Sequence, residues 1–128
     1  MAMNFFKRRN FLKKANLLEL TPVRLHEHVL LPEDQVVLLV EKFKNRNIAH
    51  FMLGRKSPHF RIRLDALGSA VWLLIDGGKQ VTEIIAELNK RWIDAPEKKD
   101  HLEERLAGFM GQLYDNRYIS FKEILEVK

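Results

Sequence analysis

At 128 residues the chain has the length of one domain plus an extension, and an apolar fraction of 46% is enough for a single core. It contains no cysteine, which excludes disulfides, thiolate metal sites and cysteine nucleophiles, and no apolar run approaches the ~20 residues of a membrane span. The net charge of +5 sits in residues 1–24, where Lys7, Arg8, Arg9, Lys13, Lys14 and Arg24 face Glu19 alone, while the remaining sixteen bases and sixteen acids cancel. The body of the chain therefore lacks the basic bias that drives nucleic-acid binding.

Residues 1–20 are expected to be a basic amino-terminal extension, and residues 21–128 the domain. Phe5, Phe6, Phe11, Leu12, Ala15, Leu17 and Leu18 interleave with the bases, but there is no apolar run of ~7–15 residues, so the stretch is not a secretory signal. Two readings stay open: a mobile tail, or a short amphipathic helix for a partner or an anionic membrane surface.

Thr21-Pro22 ends any helix at that point, because proline disfavours the α region for the residue before it. From Val23 the pattern is extended. Val29–Leu31 and Val36–Val40 predict two strands, and Pro32-Glu33-Asp34 between them is a turn sequence. Val36–Val40 is apolar on both faces, as a central strand would be. Residues 44–59 form a long connection with an apolar cluster of its own, Ile48, Phe51, Met52 and Leu53, which argues against a bare loop. Phe60, Ile62 and Leu64 then alternate with Arg61 and Arg63, predicting a half-buried third strand.

Three helices are predicted after it. Asp65 stands at the N-cap of the first, Ala66–Asp76, which carries Leu67, Val71, Leu74 and Ile75 on one face; Gly77 or Gly78 supplies a left-handed cap. The second spans Val81–Trp92, with Val81, Ile84, Ile85, Leu88 and Trp92 aligned. The third begins near Asp94, where Asp94 and Glu97 have capping-box spacing and Pro96 fits a first turn. Leu102, Leu106, Phe109, Met110, Leu113 and Tyr114 form its stripe, and Asn116 its left-handed terminator. Tyr118–Phe121 leaves extended. Grouped strands followed by grouped helices indicate an α+β domain, a three-stranded antiparallel sheet followed by three helices.

Four stretches carry a family resemblance: LLPEDQVVLL, LDALGSAVWLLIDG, VTEIIAEL and FMGQLYDNRYISF. Leu64, Asp65, Gly68, Trp72, Asp76, Gly77, Val81, Ile84 and Ile85 fit the pattern of the PqqD family, small proteins named for synthesis of the cofactor pyrroloquinoline quinone, and the likeness runs from about Leu20 to Ile124. The resemblance implies a winged-helix-like fold and a noncatalytic, cytoplasmic peptide-recognition element with no cofactor. Such domains hold the leader of a precursor peptide and present it to a maturation enzyme, often a radical S-adenosylmethionine enzyme. The implied mode is strand addition along the third strand and over the third helix. The basic extension and the 44–59 insertion depart from the family pattern.

The candidate peptide-binding residues are Phe60, Arg61, Ile62, Arg63, Leu64 and Asp65 on the strand and Leu102, Leu106, Phe109 and Met110 on the helix. Strand addition needs an edge with open amides and carbonyls. Arg61 and Arg63, on the face opposite Phe60, could each clamp a carboxylate of an acidic leader. Ala107, Gly108 and Gly111 would let a backbone come close. A DNA-binding regulator is the main rival, using the bases Lys42, Lys44, Arg46, Arg55, Lys56, Arg61 and Arg63 as a wing. Its recognition helix would be poorly charged for phosphate, since Asp94–Arg117 holds six acids against four lysines and arginines. A self-associating adaptor that dimerises through the same strand is the third class. His26 and His28 have a metal-ligand spacing but no third ligand in view. No glycine-rich phosphate loop and no nucleophile with a base at a recognisable spacing is present.

Overall fold

The computed structural model describes residues 17–41 and 59–125, so the amino-terminal extension up to residue 16 and most of the 44–59 insertion lie outside the described residues. Two compact units are present. One is His26–Trp72; the other takes the described residues on either side of it, up to Leu25 and from Leu73.

The first unit is a three-stranded antiparallel sheet and the helix that follows it. Strands β2 (Glu27–Leu31), β3 (Gln35–Glu41) and β4 (His59–Arg63) lie in the order β2-β3-β4, so the doubly apolar run is the central strand, as its composition predicts. Leu31 pairs with Gln35 across the Pro32–Asp34 turn, and Leu38 pairs with both His28 and Ile62. Alternation along β3 buries side chains on both faces: Val36 and Leu38 on one, Val37 on the other. The turn is tight at a cost, because Glu33 and Asp34 both take left-handed φ values, 64° and 59°.

Helix α1 (Ala66–Leu74) begins where the sequence indicates. The Gly68 amide donates to Asp65 Oδ1 at 2.7 Å, satisfying one of the amides that a first helical turn leaves open. It ends two residues earlier than expected, at Leu74. The left-handed residue is Gly77 (φ 82°), which shapes the turn that follows rather than the last helical turn.

The second unit is helical, with a small sheet that the periodicity did not predict. Strand β1 (Pro22–Arg24) pairs antiparallel with β5 (Ile119–Phe121), at opposite ends of the chain. Helix α2 (Val81–Arg91) buries Val81, Ile84 and Leu88, as its spacing requires. Its first two amides, of Val81 and Thr82, donate to the carbonyls of Leu20 and Leu18 at 2.9 and 3.0 Å. Leu17 and Leu20 are 2% and 3% exposed. This unit therefore reaches back at least to Leu17.

The predicted third helix is two. Helix α3 (Pro96–Lys99) is a single turn with Ala95 at its N-cap and no side-chain cap, so the expected Asp94–Glu97 box does not form. His101 (φ 51°) breaks the path before α4 (Leu102–Asp115), which buries Leu102, Leu106, Met110 and Leu113. Asn116 is not the left-handed terminator (φ −84°); Arg117 is (φ 62°). Arg117 and Tyr118 donate to the carbonyls of Tyr114 and Leu113 at 3.0 and 2.9 Å, the paired bonds of a Schellman end. Helix α5 (Lys122–Leu125) closes the unit: Glu123 accepts from both the Thr21 amide, at 2.7 Å, and its hydroxyl, at 2.8 Å.

Candidate functional site

Strand β4 is an outer strand, and among the described residues it is hydrogen-bonded to another strand on one side only. The direction of its backbone groups follows from one bond. Just past the ladder, the Leu64 amide donates to the Val36 carbonyl at 2.9 Å. Antiparallel pairs alternate between bonded and non-bonded, so Ile62–Leu38 and Phe60–Val40 are the pairs that exchange hydrogen bonds. The amides and carbonyls of Arg61 and Arg63 therefore turn away from β3, toward the side where no strand lies among the described residues. Their side chains are exposed and share one face, separated by about 7 Å at two residues of strand rise. Phe60 and Ile62 occupy the other face, with Phe60 54% exposed. The edge thus combines outward backbone groups, two guanidinium groups and an apolar flank.

A side chain closes the far end of this strand pair. Where β4 leaves the sheet for α1, Ser69 Oγ accepts from the Val36 amide at 2.9 Å and donates to the Leu64 carbonyl at 3.3 Å. The hydroxyl takes over the ladder at the point where the backbones diverge. Sequence alone presents Ser69 as a small packing residue in an apolar helix. The signal for its role is its place: a buried hydroxyl six residues beyond a strand end can reach back to the ladder it has just left. Trp72 is wholly buried, and its indole N–H donates to His28 Nδ1 at 3.2 Å, with the rings edge to face. That bond occupies one nitrogen of the histidine whose spacing from His26 suggested a metal. Among the described residues no three potential ligands cluster around a metal position.

The expected site residues fall into two groups. Phe60, Arg61, Ile62 and Arg63 line the β4 edge with accessible side chains, whereas Leu64 is buried and Asp65 is engaged as a helix cap. Leu102, Leu106 and Met110 are buried in the core of the helical unit, and Phe109 on the same helix is half-buried. Among the described residues, a Cβ added at Gly108 or Gly111 would meet no atom within 4 Å, so there is space on α4 at these two positions. Strand β4 belongs to the first unit and helix α4 to the second.

Displaced titrations occur in the helical unit. The exposed Asp76 is held below the ordinary carboxylate range, first by the Lys79 ammonium at 2.6 Å and then by the Gly78 amide; Lys79 is raised in return by the same bond. Burial lowers the Arg24 guanidinium, and Asp76 partly offsets this. Such a cluster fastens the turn around Gly77. It offers no acid or base poised for catalysis.

Residues 27–119 match the family model described as "Coenzyme PQQ synthesis protein D (PqqD)", well over half of the chain. The chain belongs to the PqqD family. No curated protein and no solved structure matches it. PqqD membership fits an accessory, peptide-recognition role in coenzyme PQQ synthesis. Among the described residues no helix is long and apolar enough to cross a membrane.

Proposed function

We propose that this PqqD-family chain is a noncatalytic, cytoplasmic recognition domain that holds an extended segment of a precursor peptide as a fourth strand beside β4 and presents it to a modifying enzyme. The observation that carries the reading is the outward set of amides and carbonyls at Arg61 and Arg63, on a strand that is paired on one side only among the described residues. A guest in the extended conformation completes these bonds without rearrangement of β3. Main-chain bonds supply affinity in such additions, and alternate side chains supply specificity. A radical S-adenosylmethionine enzyme is the partner class that PqqD membership suggests, because these domains serve peptide maturation.

The test is titration of the isotopically labelled full-length chain with a precursor peptide encoded beside its gene, followed through backbone amide shifts. Saturable shifts centred on Arg61 and Arg63 are expected, with slowed hydrogen exchange at both amides. Shifts that avoid β4, or an obligate dimer in which β4 of one copy covers β4 of the other, would overturn the proposal.

A further inference from the structure

The side chains on the β4 edge carry information about the guest itself, given that a peptide docks there as just proposed. In an antiparallel pair, residues directly opposite one another project to the same face, with Cβ atoms about 4.5–5.5 Å apart. The same-face repeat is two residues in either strand direction. Any strand laid along β4 therefore sets every second side chain beside Arg61 and Arg63, and the one between them on the side of Phe60 and Ile62. Neither guanidinium has an ion-pair or hydrogen-bond partner among the described residues. Among the described residues no ion pair joins either to the nearby acids: Glu27 lies two strands away from Arg61 across Leu39, Glu41 stands opposite His59 and diagonal to Arg61, and Asp65 caps α1.

We infer that the guest carries an acidic-x-acidic pattern: two carboxylates at alternate positions, one for each of Arg61 and Arg63, with an apolar residue between them against Phe60 and Ile62. Each arginine presents a planar fork that matches a carboxylate in two parallel bonds. A guest with lysine or arginine at those positions meets like charge along the whole contact. Spacing, rather than acidity alone, is the recognition element. The residues before Leu17 are themselves basic, and by attraction at a distance they would draw in any acidic peptide whatever its order. Two carboxylates on adjacent residues have the same total charge, but only one of them can lie on the arginine face.

The experiment uses the full-length chain and three short blocked peptides of common length, with Asp-Val-Asp, Asp-Asp-Val or Asn-Val-Asn at the centre. Affinity is measured by calorimetry, and the contact is located by amide shifts. Asp-Val-Asp should bind at β4, with affinity reduced about fivefold for each carboxylate lost or misplaced, the size expected for partly exposed charge pairs. Added salt should reduce the difference. In the double variant Arg61→Glu, Arg63→Glu, a Lys-Val-Lys peptide should become the better ligand; both positions are exposed, so circular dichroism should show the fold retained. Equal β4 binding by all three peptides would overturn the inference and leave strand addition standing. Preference for Asp-Val-Asp with shifts away from β4 would overturn both. Equal affinity of Asp-Val-Asp and Asp-Asp-Val would reduce the effect to long-range attraction and would likewise overturn the inference.

Discussion

The sheet has two outer strands, β2 and β4, alike in backbone and opposite in character. Since Val36, Leu38 and Val40 of β3 bond toward β4, the remaining β3 positions bond toward β2, and the outward residues of β2 are His28 and Leu30. Of these, His28 is tied to the indole of Trp72, and Leu30 is an apolar side chain 53% exposed. The outward residues of β4 are two arginines on the opposite face. β2 also carries Glu27 and runs into an acidic turn at Glu33 and Asp34. One edge is thus suited to an acidic guest and the other is not. An edge strand needs some device against indiscriminate pairing, and charge is the usual one; on the proposal above, charge of a single sign on β4 would also select the guest.

Proline substitution is the sharpest way to break this contrast, since it deletes one amide at a chosen side of a strand. At Ile62 it removes an amide that points toward the wholly buried Leu38 and orphans that carbonyl; with the disrupted ladder the loss should reach about 3 kcal/mol in denaturant unfolding. At Arg63 the amide faces outward, where edge strands tolerate proline, so the cost should stay below about 1 kcal/mol while peptide binding is lost. Leu30→Pro, outward on β2, should spare both stability and peptide binding. If Arg63→Pro unfolds the chain as Ile62→Pro does, the assignment of inward and outward pairs along β4 is wrong.

Ser69→Ala should come next in size and should act on one side of the sheet. The change leaves the buried Val36 amide and Leu64 carbonyl without their shared partner, worth about 1–3 kcal/mol. Hydrogen exchange should accelerate at Val36 and along β4 before it does along β2. Uniform acceleration across all three strands would mean that the hydroxyl supports the whole sheet rather than the β4 junction.

What sequence revealed of this arrangement follows the range of the interactions. Local signals were legible: the doubly apolar central strand, the arginine alternation of β4, the Asp65 cap and the apolar face of α2 all depend on neighbours within a few residues. Pairings across the chain were not. The β1–β5 ladder joins Pro22 to Phe121, and the Glu123 bonds to Thr21 span nearly the same distance; three-residue strands leave no periodicity to read. Backbone strain was also hidden, since Arg117 and His101 take left-handed conformations without glycine's permissiveness, displacing the expected terminator and dividing the third helix. For the candidate site, the two arginines were visible, but their outward amides required the Leu64–Val36 bond to set the parity. On α4 the apolar stripe of Leu102, Leu106 and Met110 is legible from its spacing, but spacing does not tell a binding wall from core, and these three side chains are buried.

The smallest expected effect tests the β2 side alone. Glu33 and Asp34 hold left-handed backbone at the tip of the β2–β3 turn, where an L-residue pays about 1–2 kcal/mol and aspartate less than glutamate, since its short side chain can bond locally. Glycine removes that penalty but loses more entropy on folding, about 0.5–1 kcal/mol. Glu33→Gly should therefore stabilise the protein by about 0.5–1 kcal/mol, and Asp34→Gly by less, as shifts in the denaturant midpoint at unchanged slope. Because the turn lies on the far side of β3 from β4, affinity for an Asp-Val-Asp peptide should not change in either variant. A matching gain or loss in that affinity would show that removing strain or acidity at one edge is felt at the other. The two edges would then have to be treated as a coupled pair, and their charges could no longer be read separately.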